Sequence, residues 1–195
     1  MITTTHLLVG AAVFAKPDHS RLTWAALMGG LAPDFSLYYM FFWHRFALGN
    51  SPSFIFDQVY FSPYWQTVFA IDNSFFVWTA LVAAALLARS TVLVAFAVSG
   101  MLHLLMDFPF HNDDARAHFW PLTMWKFESP ISYWDPAHHG RIFGVFETLF
   151  VIALCLVLWR RFTRLWPRAV IATTAILTAA PALVFGVLMQ LGGNG

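Results

Sequence analysis

The chain is short of charge and of cysteine. Of its 195 residues, only 11% are Asp, Glu, Lys or Arg, against about 25% in soluble domains. An ordinary soluble globule is therefore excluded, and disorder needs the opposite bias, high charge with low hydrophobicity. The net charge is +1, which provides no basic surface for nucleic acid. The single cysteine, Cys155, cannot form an intramolecular disulfide, and paired-thiolate zinc sites are ruled out with it. It reads as a small buried hydrophobe. No phosphate-cradling loop is present, because Gly29-Gly30 is not followed by Lys-Ser or Lys-Thr. There is no Gly-x-Ser-x-Gly elbow and no His-Glu-x-x-His helix. The segment Met1–His6 has no basic residue, the first being Lys16. It therefore does not read as a cleaved signal, and the N-terminus is expected to be retained.

What the chain has in abundance is apolar surface: 59% of it is hydrophobic. Six apolar stretches can be marked, at 7–15, 22–43, 75–88, 91–106, 142–159 and 169–191. A bilayer crossing needs about 20 residues, which the second, fifth and sixth supply. The third and fourth are marginal, and the first is half-length. None alternates as barrel strands do. The expected fold is all-α, a polytopic membrane bundle of five to six helices. It forms one integral membrane domain over 1–195, with a metal-site half (1–111), a long aromatic, His-rich outer loop (112–141) and two C-terminal membrane helices (142–195).

The basic residues suggest an orientation. Lys16, Arg21, Arg89, Arg160, Arg161, Arg164 and Arg168 fall on one side and Arg45, Arg116, Lys126 and Arg141 on the other, if the first stretch crosses. The richer side, with the Arg-rich 160–168 loop, is expected to be cytoplasmic. The 112–141 loop is then periplasmic, in a bacterial inner membrane. On this topology His6, His44, His103, His111, His118, His138 and His139 gather on the outer face, and only His19 lies opposite.

The most informative segment is Gly100-Met-Leu-His-Leu-Leu-Met-Asp-Phe-Pro-Phe-His111. His103 and Asp107 are four apart, so on a helix they share a face. Ionisable groups at the edge of a membrane segment are costly and usually functional. The pair can be a hydrogen-bonded glue between helices or the start of a metal site, and His111 one turn on favours the site. In Gly29-Gly-Leu-Ala-Pro-Asp-Phe35, a helix break at Pro33 would free Asp34 to cap a new segment. A carboxylate at depth also calls for a cation. His6 and His44 add imidazoles at helix ends. Glu147, inside the fifth stretch, is a supporting residue.

The 112–141 loop reads either as an aromatic belt on the headgroups or as a lid. In the lid reading, His118, His138 or His139 supplies a general acid or base, and Asp135 is a further candidate. Tyr60–Gln66, aromatic and broken by Pro63, would form the opposite wall.

Four short motifs carry a resemblance: Thr5-His6-Leu-Leu-Val-Gly10, Gly30-Leu-Ala-Pro-Asp34, His44-Arg45 and His103-Leu-Leu-Met-Asp107. In this order they resemble the YdjM-like family of membrane-bound metal-dependent hydrolases. Motif similarity extends to the zinc-dependent phospholipases C. The resemblance covers about the first 111 residues. It implies that His6, Asp34, His103 and Asp107 ligate metal, with His44 and His111 as additions. The chain departs from the family pattern at Ser36, where a second acid is usual, and after Arg45, where a Thr-His-Ser is missing. The phospholipases' His-x-x-x-Glu pair is absent.

The expected function is therefore a hydrolase with a divalent metal, zinc before manganese or iron, acting on a phosphoester or lipid-like substrate at the outer face of the bilayer. The alternative is a non-catalytic accessory subunit of a larger membrane complex, in contact with other membrane subunits. A transporter is less supported, since no repeat relates the two halves.

Overall fold

A computed structural model describes the backbone of residues 1–192 and the side chains of residues 1–180. The described residues are helical and contain no strand. The helices are α1 (Thr3–Phe14), α2 (Ser20–Phe42), the single turn α3 (Pro52–Phe54), α4 (Pro63–Asp72), α5 (Phe75–Leu87), α6 (Thr91–Asp107), α7 (Gly140–Arg161) and α8 (Leu165–Gly192). Serine hydroxyls cap four of them: Ser51 accepts from Phe54, Ser62 from Trp65, Ser74 from Phe76 and Val77, and Ser90 from Leu93. Each satisfies an orphan amide of a first turn.

Two stretches are long and apolar enough to cross a bilayer, Pro63–Leu87 with 25 residues and Gly140–Arg161 with 22. In each, 28% of the most apolar 18-residue window is buried. Thr3–Phe14, Thr91–Asp107 and Leu165–Ala180 are apolar but shorter. The expected sixth span, 169–191, lies in α8, and its part beyond residue 180 falls outside the described side chains. The first span of the pair differs from the third stretch read in the sequence. α4 and α5 run almost end to end, interrupted only at Asn73-Ser74.

The packing is centred on α2, which lies against α1 and α6; α6 also packs on α1 and α5, and α7 on α1 and α8. The α2–α6 and α2–α1 contacts are backbone-close because of two glycines. A Cβ on Gly29 would stand 2.0 Å from the Phe96 carbonyl oxygen, and one on Gly30 2.7 Å from that of His6. Small residues permit such approach between apolar helices. The expected break at Pro33 does not occur. α2 runs through it, and Pro33 removes one ladder donor, that toward Gly29. Asp34 is thus a mid-helix side chain and not a cap.

Two side chains of α7 hold α1 at both ends. Glu147 accepts the Ile2 amide at 2.9 Å and the Thr5 hydroxyl at 2.8 Å. Arg161 donates to the carbonyls of Ala11 and Ala15 at 3.2 and 2.9 Å. An acid at the N-terminus and a cation at the C-terminus both suit the helix dipole. The rise from Glu147 to Arg161, about 21 Å, is close to the span from Ile2 to Ala15, about 20 Å. Between these clamps lies a core of Leu8, Ala11, Val151, Cys155 and Leu158, closed by Ile171 of α8. Cys155 is buried there as a free thiol.

Residues 43–62 and 108–139 form a cap over the end that carries His6 and Asp107. Ile55 and Tyr60 of this cap cluster with Met40 of α2 and with Trp65 and Phe69 of α4. The 112–141 segment is almost free of helix, apart from one turn at Pro136–His138. It is pinned by its backbone: Ser129 donates to the His111 carbonyl and Tyr133 to that of Phe110, and the His118 carbonyl accepts from Phe75.

Candidate metal centre

Three helices bring the ionisable groups together. α1 supplies His6 from its first turn, α2 supplies Asp34, and the last turns of α6 supply His103 and Asp107. His6, His103 and Asp107 are all buried. One ligand atom from each lies within 4.8 Å of the other two, and the group could hold a metal ion. His6 Nε2 is 2.8 Å from Asp107 Oδ1, and His103 Nε2 is 3.3 Å from Oδ2 of the same carboxylate. Asp34 Oδ1 stands 3.7 Å from His103 Nε2. Ligands about 2.0–2.1 Å from a tetrahedral zinc are roughly 3.3 Å apart, so these separations bracket a tetrahedral edge.

The tautomer of His103 follows from its partner. Nδ1 lies 2.7 Å from the Gly30 carbonyl, which can only accept, so Nδ1 carries the proton. Nε2 then presents a lone pair toward two carboxylates. Backbone anchoring of this kind fixes an imidazole for metal ligation. The imidazole of His6 is stacked on that of His103, and neither of its nitrogens has a hydrogen-bond partner; His103 Nε2 also has none. Buried polar atoms without partners are rare and costly. A cation among these donors takes up Nε2 of His103 and one nitrogen of His6 together, and in that sense the residues fit a metal.

The carboxylates are held from behind. Thr3 Oγ1 donates to Asp34 Oδ2 at 2.5 Å and also meets the Tyr38 hydroxyl at 2.7 Å. The Met1 amino group lies 2.7 Å from Asp107 Oδ1. His111 bridges two acids, with Nε2 3.1 Å from Asp107 and Nδ1 3.0 Å from Asp114. Burial opposes charge on His111, but the carboxylates of Asp107 and Asp114 outweigh it and hold its pKa above the ordinary value. Asp114 is correspondingly held below its own, with burial outweighed by the contact and charge of His111.

Beside the cluster opens a cavity of about 680 Å³, lined by Asp34, Asp107, His111, Asp114 and Arg116 among others. The cap residues Tyr60 and Phe61 form one wall and Tyr133 and Trp134 another. The expected opposite wall at Tyr60–Gln66 and the expected lid from the 112–141 loop thus both border it.

Not every histidine read from the sequence arrives. His44 is apart from the group; it contacts Asn50 at 3.1 Å through Nδ1 and sits edge-on to Trp65. The π-helical turn Trp43–Ala47 carries it away with the end of α2. His118, His138 and His139 do not line the cavity. His118 is buried against Phe75 and Phe108, its Nδ1 2.8 Å from the Asn73 carbonyl. That contact joins the loop to the α4–α5 junction, and burial pushes the pKa down to about 4. His138 pairs with Asp135 at 2.6 Å. His139, at φ 64°, is the exposed turn before α7. The three histidines expected as acid or base thus stand away from this cavity. The sequence reading overlooked Arg116 and Asp114; the only signal was their nearness to His111 in the chain.

No family model, no curated protein and no solved structure matches this chain.

Proposed function

We propose that the chain is an integral membrane hydrolase of five to six spans whose one divalent cation is held by His6, His103 and Asp107, with Asp34 as a further ligand. One observation carries this reading: the Nε2 atoms of His6 and His103, both buried and without hydrogen-bond partners, stand 2.8 and 3.3 Å from the two oxygens of a shared carboxylate, that of Asp107. Two nitrogens and a carboxylate with room for one more group are a zinc-type donor set; manganese or iron would accept the same donors. When bound, such an ion supplies Lewis acidity and lowers the pKa of water.

The remaining steps belong to the chain's own residues. Gly30 and Asp107 orient His103, and Thr3 orients Asp34. His111 lines the cavity with Asp114 behind it. It is the group placed to hold a proton and pass it to a leaving oxygen. The role expected of a loop histidine thus passes to His111, which was read as a ligand. The exposed apolar faces of Pro63–Leu87 and Gly140–Arg161 support placement in a bilayer. The charge asymmetry of the ends supports a periplasmic cavity. The motif order shared with YdjM-like hydrolases agrees with the same reading.

The test is hydrolysis of p-nitrophenyl phosphate and of a short-chain phospholipid by detergent-purified protein loaded with zinc, manganese or iron. Activity that is lost with chelator, restored by metal and absent in His6→Ala is expected. A metal-loaded protein inert toward every phosphoester would contradict the hydrolase reading and favour the accessory-subunit alternative.

A further inference from the structure

Arg116 is the only arginine buried among the described residues, at 7% exposure. Its guanidinium lies 4.1 Å over the ring of Phe69 and 5.3 Å from that of Tyr60. The two rings fix its plane. It lines the same cavity as Asp107 and His111, yet no carboxylate makes an ion pair with it among the described residues, and Nη1 is buried without a hydrogen-bond partner. The nearby acids are already engaged: Asp34 by Thr3, Asp107 by three histidines, and Asp114 by His111. A buried guanidinium with a free donor is costly. Its fork matches a phosphoryl group in two-point contact.

The charges limit what enters. A dication, Arg116 and the Met1 ammonium outweigh Asp34, Asp107 and Asp114 by one positive charge. Asp57 and Asp113 stand at the rim of the cavity and repel further anionic groups. This balance suits one phosphoryl group better than a polyphosphate. The rest of the rim is apolar, with Ile2, Phe56, Phe61 and Trp134 exposed around the opening. An apolar chain can lie there once the phosphoryl group is anchored.

We infer that Arg116 is the anchor for the phosphoryl group of a singly phosphorylated amphiphile, held in the cavity beside the metal cluster. This rests on the hydrolase reading above for the nature of the substrate, while the anchor itself is a property of Arg116.

The experiment measures binding of dodecyl phosphate to purified wild type, Arg116→Met and Arg116→Lys, zinc-loaded and after chelation, with zinc content determined on the same samples. Inorganic phosphate and laurate are the comparison ligands. The expected result is that Arg116→Met keeps its zinc but weakens dodecyl phosphate binding about 10- to 100-fold. Arg116→Lys, which keeps charge without the fork, should fall between them, and it carries the same test if Arg116→Met does not fold. Equal affinity in wild type and both variants overturns the inference and leaves the metal reading standing. Arg116-dependent binding in a protein that holds no metal upholds the anchor and removes the metal reading. Inorganic phosphate or laurate binding as tightly as dodecyl phosphate overturns the assigned ligand class.

Discussion

The imidazole of His103 lies flat on that of His6, with ring centroids 3.6 Å apart and planes 16° from parallel. Two cationic rings would not stack this closely in a buried site, since like charges at that range repel strongly. His103 also commits its Nδ1 proton to Gly30. With both rings neutral, the pair presents two donors around Asp107, the state a metal ion needs.

The Gly30 backbone makes that arrangement geometrically possible. Gly30→Ala places a methyl 2.7 Å from the His6 carbonyl, which forces α1 off α2. We expect a loss of about 1–3 kcal/mol, read as a lower melting temperature in detergent, together with weakened zinc binding. Gly144→Ala is the control: its added Cβ meets nothing within 4 Å. It should leave zinc binding intact and stability unchanged or raised by about 0.5–1 kcal/mol.

Glu147 sets where α1 begins relative to α7. Glu147→Ala leaves the Ile2 amide and the Thr5 hydroxyl unpaired. The expected cost is about 2–4 kcal/mol, measured by chemical denaturation. Zinc affinity should fall with it, because His6 is carried by the displaced helix.

A pH dependence of stability follows from His118. Its folded pKa, about 4, lies below the ordinary 6.5 because burial penalises the charged form. The unfolded chain therefore binds more protons between these values, and stability must fall as pH drops from 6.5 toward 4. The loss from this residue is on the order of 3 kcal/mol once pH is below 4. His118→Asn, with a neutral donor for the Asn73 carbonyl, should flatten that part of the stability profile.

Asp114 tunes the proposed acid. A protonated His111 is needed, so activity should fall as pH rises through its pKa. Asp114→Asn removes one of the carboxylates that raise this pKa. The alkaline limb of the rate profile should shift to lower pH. An unshifted limb would remove His111 from the proton-transfer role.

Much of the helical layout was legible in the chain, because apolar runs bounded by Pro, Ser and Gly mark helix ends directly. The stretch 91–106 became Thr91–Asp107, and 142–159 lies within Gly140–Arg161. Pro33 misled, since a helix packed tightly on two neighbours tolerates one missing ladder bond. The His103–Asp107 pair could be read from helical spacing alone. That His6 and Asp34 would reach it could only be guessed from sidedness, because their meeting depends on Gly29 and Gly30 letting backbones touch. The loop histidines could not be placed. Loop direction is set by pairings such as Ser129 to the His111 carbonyl, which leave no pattern in sequence. Arg116 was invisible for the same reason: only the fold shows it buried and unpaired.

The most direct test of the account is the zinc content of detergent-purified protein, wild type against His103→Ala with Asp107→Ala, by mass spectrometry after dialysis. The account predicts about one equivalent per chain in the wild type and a background level in the double variant. Equal content in the two proteins, whether high or negligible, would contradict it.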